Sequence, residues 1–193
     1  MMKNSMSFAP KLIEIFLKLI EFLPKNVGVF SSIHKILKIS NMQNPPDYRN
    51  DTVLPLPIEV QANAWAVDGA CSGNPGPMEY RCVDLQTGYE VFHYGPIQGT
   101  NNIGEFLAIV HALALMEQKG ITDKVIYSDS VSGMAWARNA KAKTVLERTE
   151  KTAQALDLVA RGEFWLRTHT FRVPIIKWDT KKWGEIPADF NRK

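Results

Sequence analysis

Cysteine is scarce in this chain, and histidine is little more common. The 193 residues include two cysteines, Cys71 and Cys82, and four histidines. The cysteines form no CxxC pair, which excludes the usual zinc-binding spacings, and two thiols are too few for a disulfide framework. We therefore expect reduced thiols, a cytoplasmic protein and no zinc site.

A strong net charge is also lacking. The sum of Lys and Arg is 23 and that of Asp and Glu is 20, which gives a net charge of +3. This balance permits a polyanionic partner without requiring one. Hydrophobic residues make up 45% of the chain, which is ordinary for a globular protein. The length suits one domain with an extension.

The first sixty residues differ from the remainder. The stretch KLIEIFLKLIEFLPKN is strongly apolar, but Lys11, Glu14, Lys18 and Glu21 recur three and four residues apart, as on one stripe of a helix. These charges and the short length argue against a secretory signal and an integral membrane segment. We predict a helical extension over residues 1–43, a hairpin that docks on the main domain or mediates self-association. Attachment to a membrane surface is the less favoured alternative.

A linker and a domain follow this extension. Residues 44–60 contain NPPDYRNDTVLPLP, a proline-rich stretch without periodicity that predicts a linker. Residues 61–193 show the element order β-β-β-α-β-α-α-β-α, with the last short helix over EIPADFNRK. An antiparallel meander followed by βαβ crossovers predicts an α/β fold, a five-stranded mixed sheet with helices on both faces.

Four acidic residues lie where such a sheet gathers a site. Asp68 ends the first of these strands, Glu105 lies near the start of the first helix, Asp129 ends the fourth strand, and Asp189 lies in the terminal segment. Singly, each suits a turn or a helix start. If the first and fourth strands are neighbours, the carboxylates meet at one edge and repel each other unless a cation lies among them. Hard oxygen ligands favour Mg²⁺ or Mn²⁺.

Four motifs occur in one order along the domain: DGACSGNPG, TNNIGEFLAIVHAL, YSDS and KWDTKKWGEIPADF. Together they resemble type 1 ribonuclease H, the nucleases that cut RNA within an RNA/DNA hybrid, over about residues 62–193. The likeness is greatest to the compact bacterial branch that ends in WGEIxAD and lacks the histidine-bearing loop of other members. The resemblance implies a ribonuclease H-like catalytic domain over residues 61–193.

The same resemblance implies the chemistry of the acids. Asp68, Glu105, Asp129 and Asp189 match the family's metal ligands, which hold two Mg²⁺ ions about 4 Å apart astride the scissile phosphate. One ion activates the attacking water and the other stabilises the leaving 3′ oxygen, so that the products carry 5′-phosphate and 3′-hydroxyl ends. Glu185 matches a further acid linked to water ordering and product release, and a solvated glutamate is the alternative.

The resemblance also implies contacts to the hybrid. Positions that match those meeting ribose 2′-hydroxyls, besides Glu105, are Ser72, Gly73, Asn74, Asn101 and Asn102. Positions that match those holding a phosphate of the DNA strand are Thr100, Asn102 and Thr144. Lys182 is predicted to meet backbone phosphates, and Thr100 and Asn101 suit helix capping equally well.

Two departures from the family pattern concern these contacts. Val131 stands where a groove-reading Gln is common, and Val145 where the phosphate pocket often has a second hydroxyl residue. We expect altered contacts to the hybrid, with the chemistry retained.

Three functions stay open on the sequence alone. An active ribonuclease H predicts Mg²⁺-dependent cutting of hybrid. A non-catalytic hybrid-binding module would be favoured by a missing acid, but none is missing. Another two-metal nuclease of the superfamily, such as a resolvase or exonuclease, would lack the GNPG loop and the TNN-x-x-E pattern, and both are present.

Overall fold

The described part of the chain is built on one five-stranded sheet. The computed structural model describes residues 48–49 and 51–190, so the helical extension predicted over residues 1–43 lies outside them. A short pair comes first, β1 (Tyr48–Arg49) and β2 (Leu56–Pro57). The strands of the main sheet are β3 (Ala64–Cys71), β4 (Gly76–Asp84), β5 (Glu90–Gly99), β6 (Val125–Ser128) and β7 (Ile175–Lys177).

The sheet is mixed, as predicted, and its strand order is β5-β4-β3-β6-β7. Strands β3, β4 and β5 pair antiparallel, whereas β6 runs parallel to both β3 and β7. The first and fourth strands of the predicted domain are therefore neighbours. Their register aligns Val67 with Ser128, the residues just before Asp68 and Asp129. The condition for these two carboxylates to meet is fulfilled.

Four helices are described: α1 (Asn101–Gln118), α2 (Val131–Arg138), α3 (Ala153–Thr168) and α4 (Thr180–Trp183). Helix α1 begins as predicted at Thr100, whose side chain accepts a hydrogen bond from the Ile103 backbone N–H. None of the four combines the length and the apolar character that crossing a bilayer requires.

Side-chain alternation along the strands divides the interior into two cores. Trp65 and Val67 face a larger core that is completed by α1, α2 and α3. Ala64 and Ala66 face a smaller core on the opposite side of the sheet. On that side the described chain supplies one short helix, α4, through the partly buried Trp183. The predicted fold class, a mixed sheet with helices, is confirmed.

Part of the segment predicted as a linker packs on this smaller core. Strand β1 pairs with β2, and the side chains of Leu56 and Val60 are fully buried. Arg49 Nη2 donates hydrogen bonds to the carbonyl oxygens of Ile58 and Val60 at 3.0 and 2.7 Å. The described residues of this segment are therefore held to the sheet. The domain boundary near residue 60 stays a prediction.

The helix predicted over residues 185–193 does not form in its described part, residues 185–190. The last helix, α4, lies earlier and ends at Trp183, and the φ of 78° at the following Gly184 is not helical. After it, Ile186 and Ala188 are buried in the smaller core. Tertiary burial therefore fixes this segment in an irregular conformation, and local helix propensity does not decide it.

Candidate metal centre

Three carboxylates meet where β6 ends beside β3 and the start of α1. The expectation that Asp68 ends its strand is wrong, because β3 continues to Cys71. Asp68 lies within β3, Asp129 directly follows β6, and Glu105 is the fifth residue of α1. One carboxylate oxygen from each residue lies within 4.8 Å of the other two. This spacing allows all three groups to bind one divalent cation, or two that share ligands.

Two glycines let the backbone segments approach this closely. A Cβ atom on Gly69, which follows Asp68, would lie 2.5 Å from the backbone nitrogen of Glu105. A Cβ atom on Gly133 in α2 would lie 3.2 Å from the Cβ of Glu105. The first distance is prohibitive and the second is tight. Glycine at these positions therefore allows Glu105 to lie against both β3 and α2.

The cluster is buried and incompletely hydrogen-bonded. Asp68 and Glu105 are 6% and 5% exposed. Oε2 of Glu105 and Oδ1 of Asp129 are buried and have no hydrogen-bond partner among the residues that the structure describes. Asn101 Nδ2 donates to the other oxygen of Glu105 at 3.4 Å. Buried carboxylate oxygens without donors are unfavourable unless a cation compensates them, and this oxygen-only set suits Mg²⁺ or Mn²⁺.

The pKa values of the three acids respond to the same environment. Burial, followed by the charges of Asp129 and Asp189, raises the pKa of Asp68 to about 7. Burial, followed by the charge of Asp68, raises the pKa of Glu105 well above its usual range. Burial also raises the pKa of Asp129, although the charge of Lys177 opposes this shift. A bound cation would favour the charged forms.

The other two predicted acids face the same cavity without joining the close triplet. Asp189 and Glu185 line a pocket of about 260 Å³ together with Asp68, Glu105 and Asp129. The charges of Asp189 and Glu185 both act on Asp129. The structure therefore gathers all five predicted acids around one pocket.

The predicted substrate-binding residues are divided between this pocket, a second pocket and the exposed surface. Ser72, Gly73 and Asn74 are exposed in the loop between β3 and β4, and Asn74 Oδ1 accepts a hydrogen bond from the Asn101 backbone N–H at 3.2 Å. Asn101 lines the acidic pocket. A second pocket of about 520 Å³ is lined by residues that include Asn74, Thr100, Asn102 and Thr144.

The two departures from the family pattern are both exposed. Val131 begins α2 and is 69% exposed, and Val145 lines the second pocket and is 98% exposed. Lys182 is different, because it lines neither pocket. Its Nζ lies 2.6 Å from Oε1 of Glu59, so the structure pairs this cation with a surface carboxylate.

Two basic residues near the acids were not predicted from the sequence. Lys177 in β7 influences Asp129. Arg81 in β4 is directly opposite Asp68 in the β3–β4 register and donates to the carbonyl oxygen of Asp189 at 2.6 Å. Strand alternation could have placed Arg81 on the face of Asp68, but only if the register of the hairpin had been known.

Comparison of the sequence with known protein families identifies one family. The RNase H family model matches residues 61–177 of this chain. The matched region contains Asp68, Glu105 and Asp129, and it ends before Glu185 and Asp189. The three acids that form the close cluster therefore all lie within the family match.

Several ribonucleases H are similar in sequence. The ribonuclease H of Brucella ovis is 34% identical over 116 residues, which cover 53% of this chain and 75% of that protein. The enzyme of Enterobacter sp. (strain 638) is 33% identical over 120 residues, which cover 60% of this chain and 73% of that protein. Among solved structures, RNase H1 of Halobacterium salinarum is similar with a TM-score of 0.39 and 24% identity, over 61% of this chain and 86% of that one.

Proposed function

The chain belongs to the RNase H family, and from this premise we propose that it is an endonuclease that hydrolyses the RNA strand of RNA/DNA hybrids. One observation carries the proposal. Within residues 48–49 and 51–190, buried oxygens of Glu105 and Asp129 have no hydrogen-bond partner, and they lie beside the buried Asp68. A module that only binds a hybrid has no need for such an unfavourable arrangement, whereas a metal-dependent nuclease requires it.

The proposed ligands are Asp68, Glu105, Asp129 and Asp189, which would hold two Mg²⁺ ions, with Mn²⁺ as a substitute. When bound, such ions supply an activated water and stabilise charge on the phosphate and the leaving 3′ oxygen, which gives 5′-phosphate and 3′-hydroxyl products. Asp68 interacts with all three other acids. It is therefore the best-placed residue to be a ligand shared by both ions.

The composition of the pocket supports attack by water. Among the described residues that line it there is no Ser or His, and the one potential nucleophile besides the acids is Cys71. Burial raises the pKa of the Cys71 thiol, so the thiol stays protonated and weakly nucleophilic near neutral pH. A covalent intermediate on the protein is therefore not proposed.

Recognition of the hybrid is assigned to the rim of the two pockets. The exposed loop of Ser72, Gly73 and Asn74, with Asn101 and Asn102, is proposed to contact ribose 2′-hydroxyls, the groups that distinguish RNA from DNA. The pocket lined by Thr100, Asn102 and Thr144 is proposed to hold a phosphate of the DNA strand. The exposed side chain of Val145 gives the proposed phosphate pocket an apolar element, and the exposed Val131 presents another at the start of α2.

We assign the chain to the compact bacterial branch of type 1 ribonuclease H. The ending WGEIPAD matches the branch motif, and residues 178–188 include no histidine. Glu185 is proposed to order water and assist product release, which its influence on Asp129 supports. A cytoplasmic location and self-association through the N-terminal extension stay predictions.

The deciding assay is cleavage of an end-labelled hybrid with and without Mg²⁺. We expect wild type to cut the RNA strand, leave duplex DNA intact and generate 5′-phosphate ends. Asp129→Asn should lose cleavage, and Asp157→Asn, a surface change in α3, should retain it. An intact hybrid in both Mg²⁺ and Mn²⁺ would overturn the enzymatic proposal. Equal cutting by Asp129→Asn would overturn the assignment of the site.

A further inference from the structure

The segment that carries Asp189 has little regular structure to hold it. Residues 185–190 follow Gly184 and form no helix or strand. Within the segment, the Asp189 backbone N–H donates to the carbonyl oxygen of Ile186 at 2.8 Å. Burial of Ile186 and Ala188 anchors it to the smaller core. The position of the Asp189 carboxylate therefore depends on side-chain contacts that fix the neighbouring backbone.

Arg81 supplies such a constraint from the sheet. Its Nε donates to the carbonyl oxygen of Ala188 at 2.8 Å, and its Nη2 donates to that of Asp189 at 2.6 Å. These charge-assisted hydrogen bonds reach two successive carbonyl groups from one planar guanidinium. Because Arg81 is directly opposite Asp68 in the sheet, its side chain connects β4, the strand paired with that of Asp68, to the backbone of Asp189.

Phe190 extends this constraint across the next strand. The Cζ of Arg81 lies 4.8 Å from the centroid of the Phe190 ring, within the range of a cation–π contact. The ring of His93, which is opposite Arg81 in β5, lies 5.7 Å from the same ring. His93 Nε2 is in turn 2.7 Å from the buried Glu79. Residues of β4 and β5 thus contact both the backbone at Ala188 and Asp189 and the side chain of Phe190.

We infer that Arg81 is a positioning residue for the metal centre, because its guanidinium fixes the backbone of Asp189 relative to Asp68. The inference rests on the proposed function of Asp189 as a metal ligand. Arginine suits the task better than lysine, since one ammonium cannot present two N–H groups in a fixed planar fork. The contacts are to main-chain oxygens, so Arg81 acts through Asp189 and is distinct from the acids themselves.

A purely structural role makes a different prediction. If Arg81 only stabilised the smaller core, its loss would lower the melting temperature and leave metal affinity of the folded protein unchanged. If it positions Asp189, its loss should weaken metal binding. Amide hydrogen exchange should also become faster within residues 186–190, with little change in the central strands.

The experiment measures Mn²⁺ binding by calorimetry on the full chain. We compare wild type with Arg81→Met, Arg81→Lys, Asp189→Asn and the double variant Arg81→Met with Asp189→Asn. Arg81→Met should raise the dissociation constant about tenfold, and Arg81→Lys should restore part of the loss. Arg172→Met is the matched control at an exposed arginine and should bind as wild type does.

The double variant is the sharpest measurement. If Arg81 acts through Asp189, the double variant should bind Mn²⁺ no more weakly than Asp189→Asn alone. Additive losses, or unchanged binding in Arg81→Met, would overturn the inference. Binding of Mn²⁺ by wild type would in that case still support the proposed function. If wild type binds no Mn²⁺, the proposed function itself fails. Should Arg81→Met not fold, Arg81→Lys and its exchange rates decide in the same way.

Discussion

Two carboxylate sites lie along strand β3, one near its start and one in its second half, and their surroundings differ. At its start, Asp84 of β4 is opposite Trp65 and accepts hydrogen bonds from Trp65 Nε1 and Lys124 Nζ, both at 3.0 Å. Burial is the largest single influence there and acts against ionisation, but the hydrogen bonds from Lys124 and Thr87 and the charge of Lys124 together outweigh it, so the pKa of Asp84 is lowered. At Asp68, burial and neighbouring acids raise the pKa to about 7.

The comparison separates a carboxylate that serves the fold from one that needs a partner. Asp84 has a cation and several donors within the protein, and its charge is satisfied when the chain folds. Asp68 is surrounded by further acids, and two oxygens of those acids have no donor in the described part of the chain. The role of an acid in this chain is therefore indicated by whether cations and hydrogen-bond donors of the protein compensate its charge. Burial alone would not distinguish Asp84 from Asp68.

The largest expected effect is on cleavage. Asp68→Asn should lower kcat by about a thousandfold or more, because a lost metal ligand removes several kcal/mol of transition-state stabilisation. Asp84→Asn should keep kcat within about twofold, because Asp84 lies apart from the acidic cluster and changes at separate sites with no shared partners usually act independently. Rates of hybrid cleavage in saturating Mg²⁺ measure both.

A hybrid-binding assay without added metal serves as the control for this pair. Both variants should bind the hybrid as wild type does if they are folded. A large loss of kcat in Asp84→Asn, or little loss in Asp68→Asn, would contradict the different roles assigned to these two acids.

The second prediction concerns stability, and the expected change in the free energy of unfolding has opposite signs for variants of Asp84 and Asp68. Asp84→Ala should lower the free energy of unfolding by about 3 kcal/mol, because Lys124 and Trp65 lose their acceptor in a largely buried site. Asp68→Asn should raise that free energy by about 2 kcal/mol at pH 8 without metal, because it removes an unfavourable buried charge. Urea unfolding in the presence of a chelator measures both changes. Equal signs for the two variants would contradict this account.

Much of the site could be predicted from the sequence because its signals are local. Asp68 and Asp129 end apolar strand-like runs, and Glu105 follows the cap of α1 at a fixed spacing. The parallel pairing of β3 with β6 then brings these positions together. The order of the motifs indicated the same arrangement through the family resemblance.

What the sequence did not show depends on contacts between distant residues. Arg81 meets Asp189 across more than one hundred positions of the chain, and no local pattern indicates that contact. The burial of Leu56 and Val60 was hidden in a proline-rich stretch without periodicity. The irregular segment around Asp189 resembled a helix locally, and burial against the smaller core decided otherwise.

The third prediction is a pH dependence of the metal-free protein. A carboxyl group whose pKa rises on folding binds its proton more tightly in the folded state, so its stabilising contribution is present below its usual pKa of 3.8 and is lost as the pH rises to about 7. The difference in unfolding free energy between Asp68→Asn and wild type should therefore increase from pH 4 to pH 7 and level off above it.

Mg²⁺ provides the control for this pH dependence. Metal binding requires ionised ligands and should release protons, so added Mg²⁺ should stabilise wild type more at pH 8 than at pH 5 and should leave Asp68→Asn nearly unaffected. Thermal unfolding across this range measures both effects. A difference between variant and wild type that stays constant with pH would contradict the raised pKa of Asp68.

The smallest expected effect separates a partly buried lysine from an exposed one. Lys124, which bonds to Asp84, has a side chain 16% exposed, whereas the side chain of Lys182 is 53% exposed beside Glu59. Because a solvent-exposed ion pair contributes little, Lys182→Ala should change the unfolding free energy by less than about 1 kcal/mol. If Lys182 leaves Glu59 to meet a phosphate of the hybrid, the slope of log binding constant against log salt should fall by about one, with kcat unchanged. An unchanged slope would leave Lys182 as a surface partner of Glu59, because a lysine that neutralises a phosphate must release counterions and one that stays with a carboxylate does not.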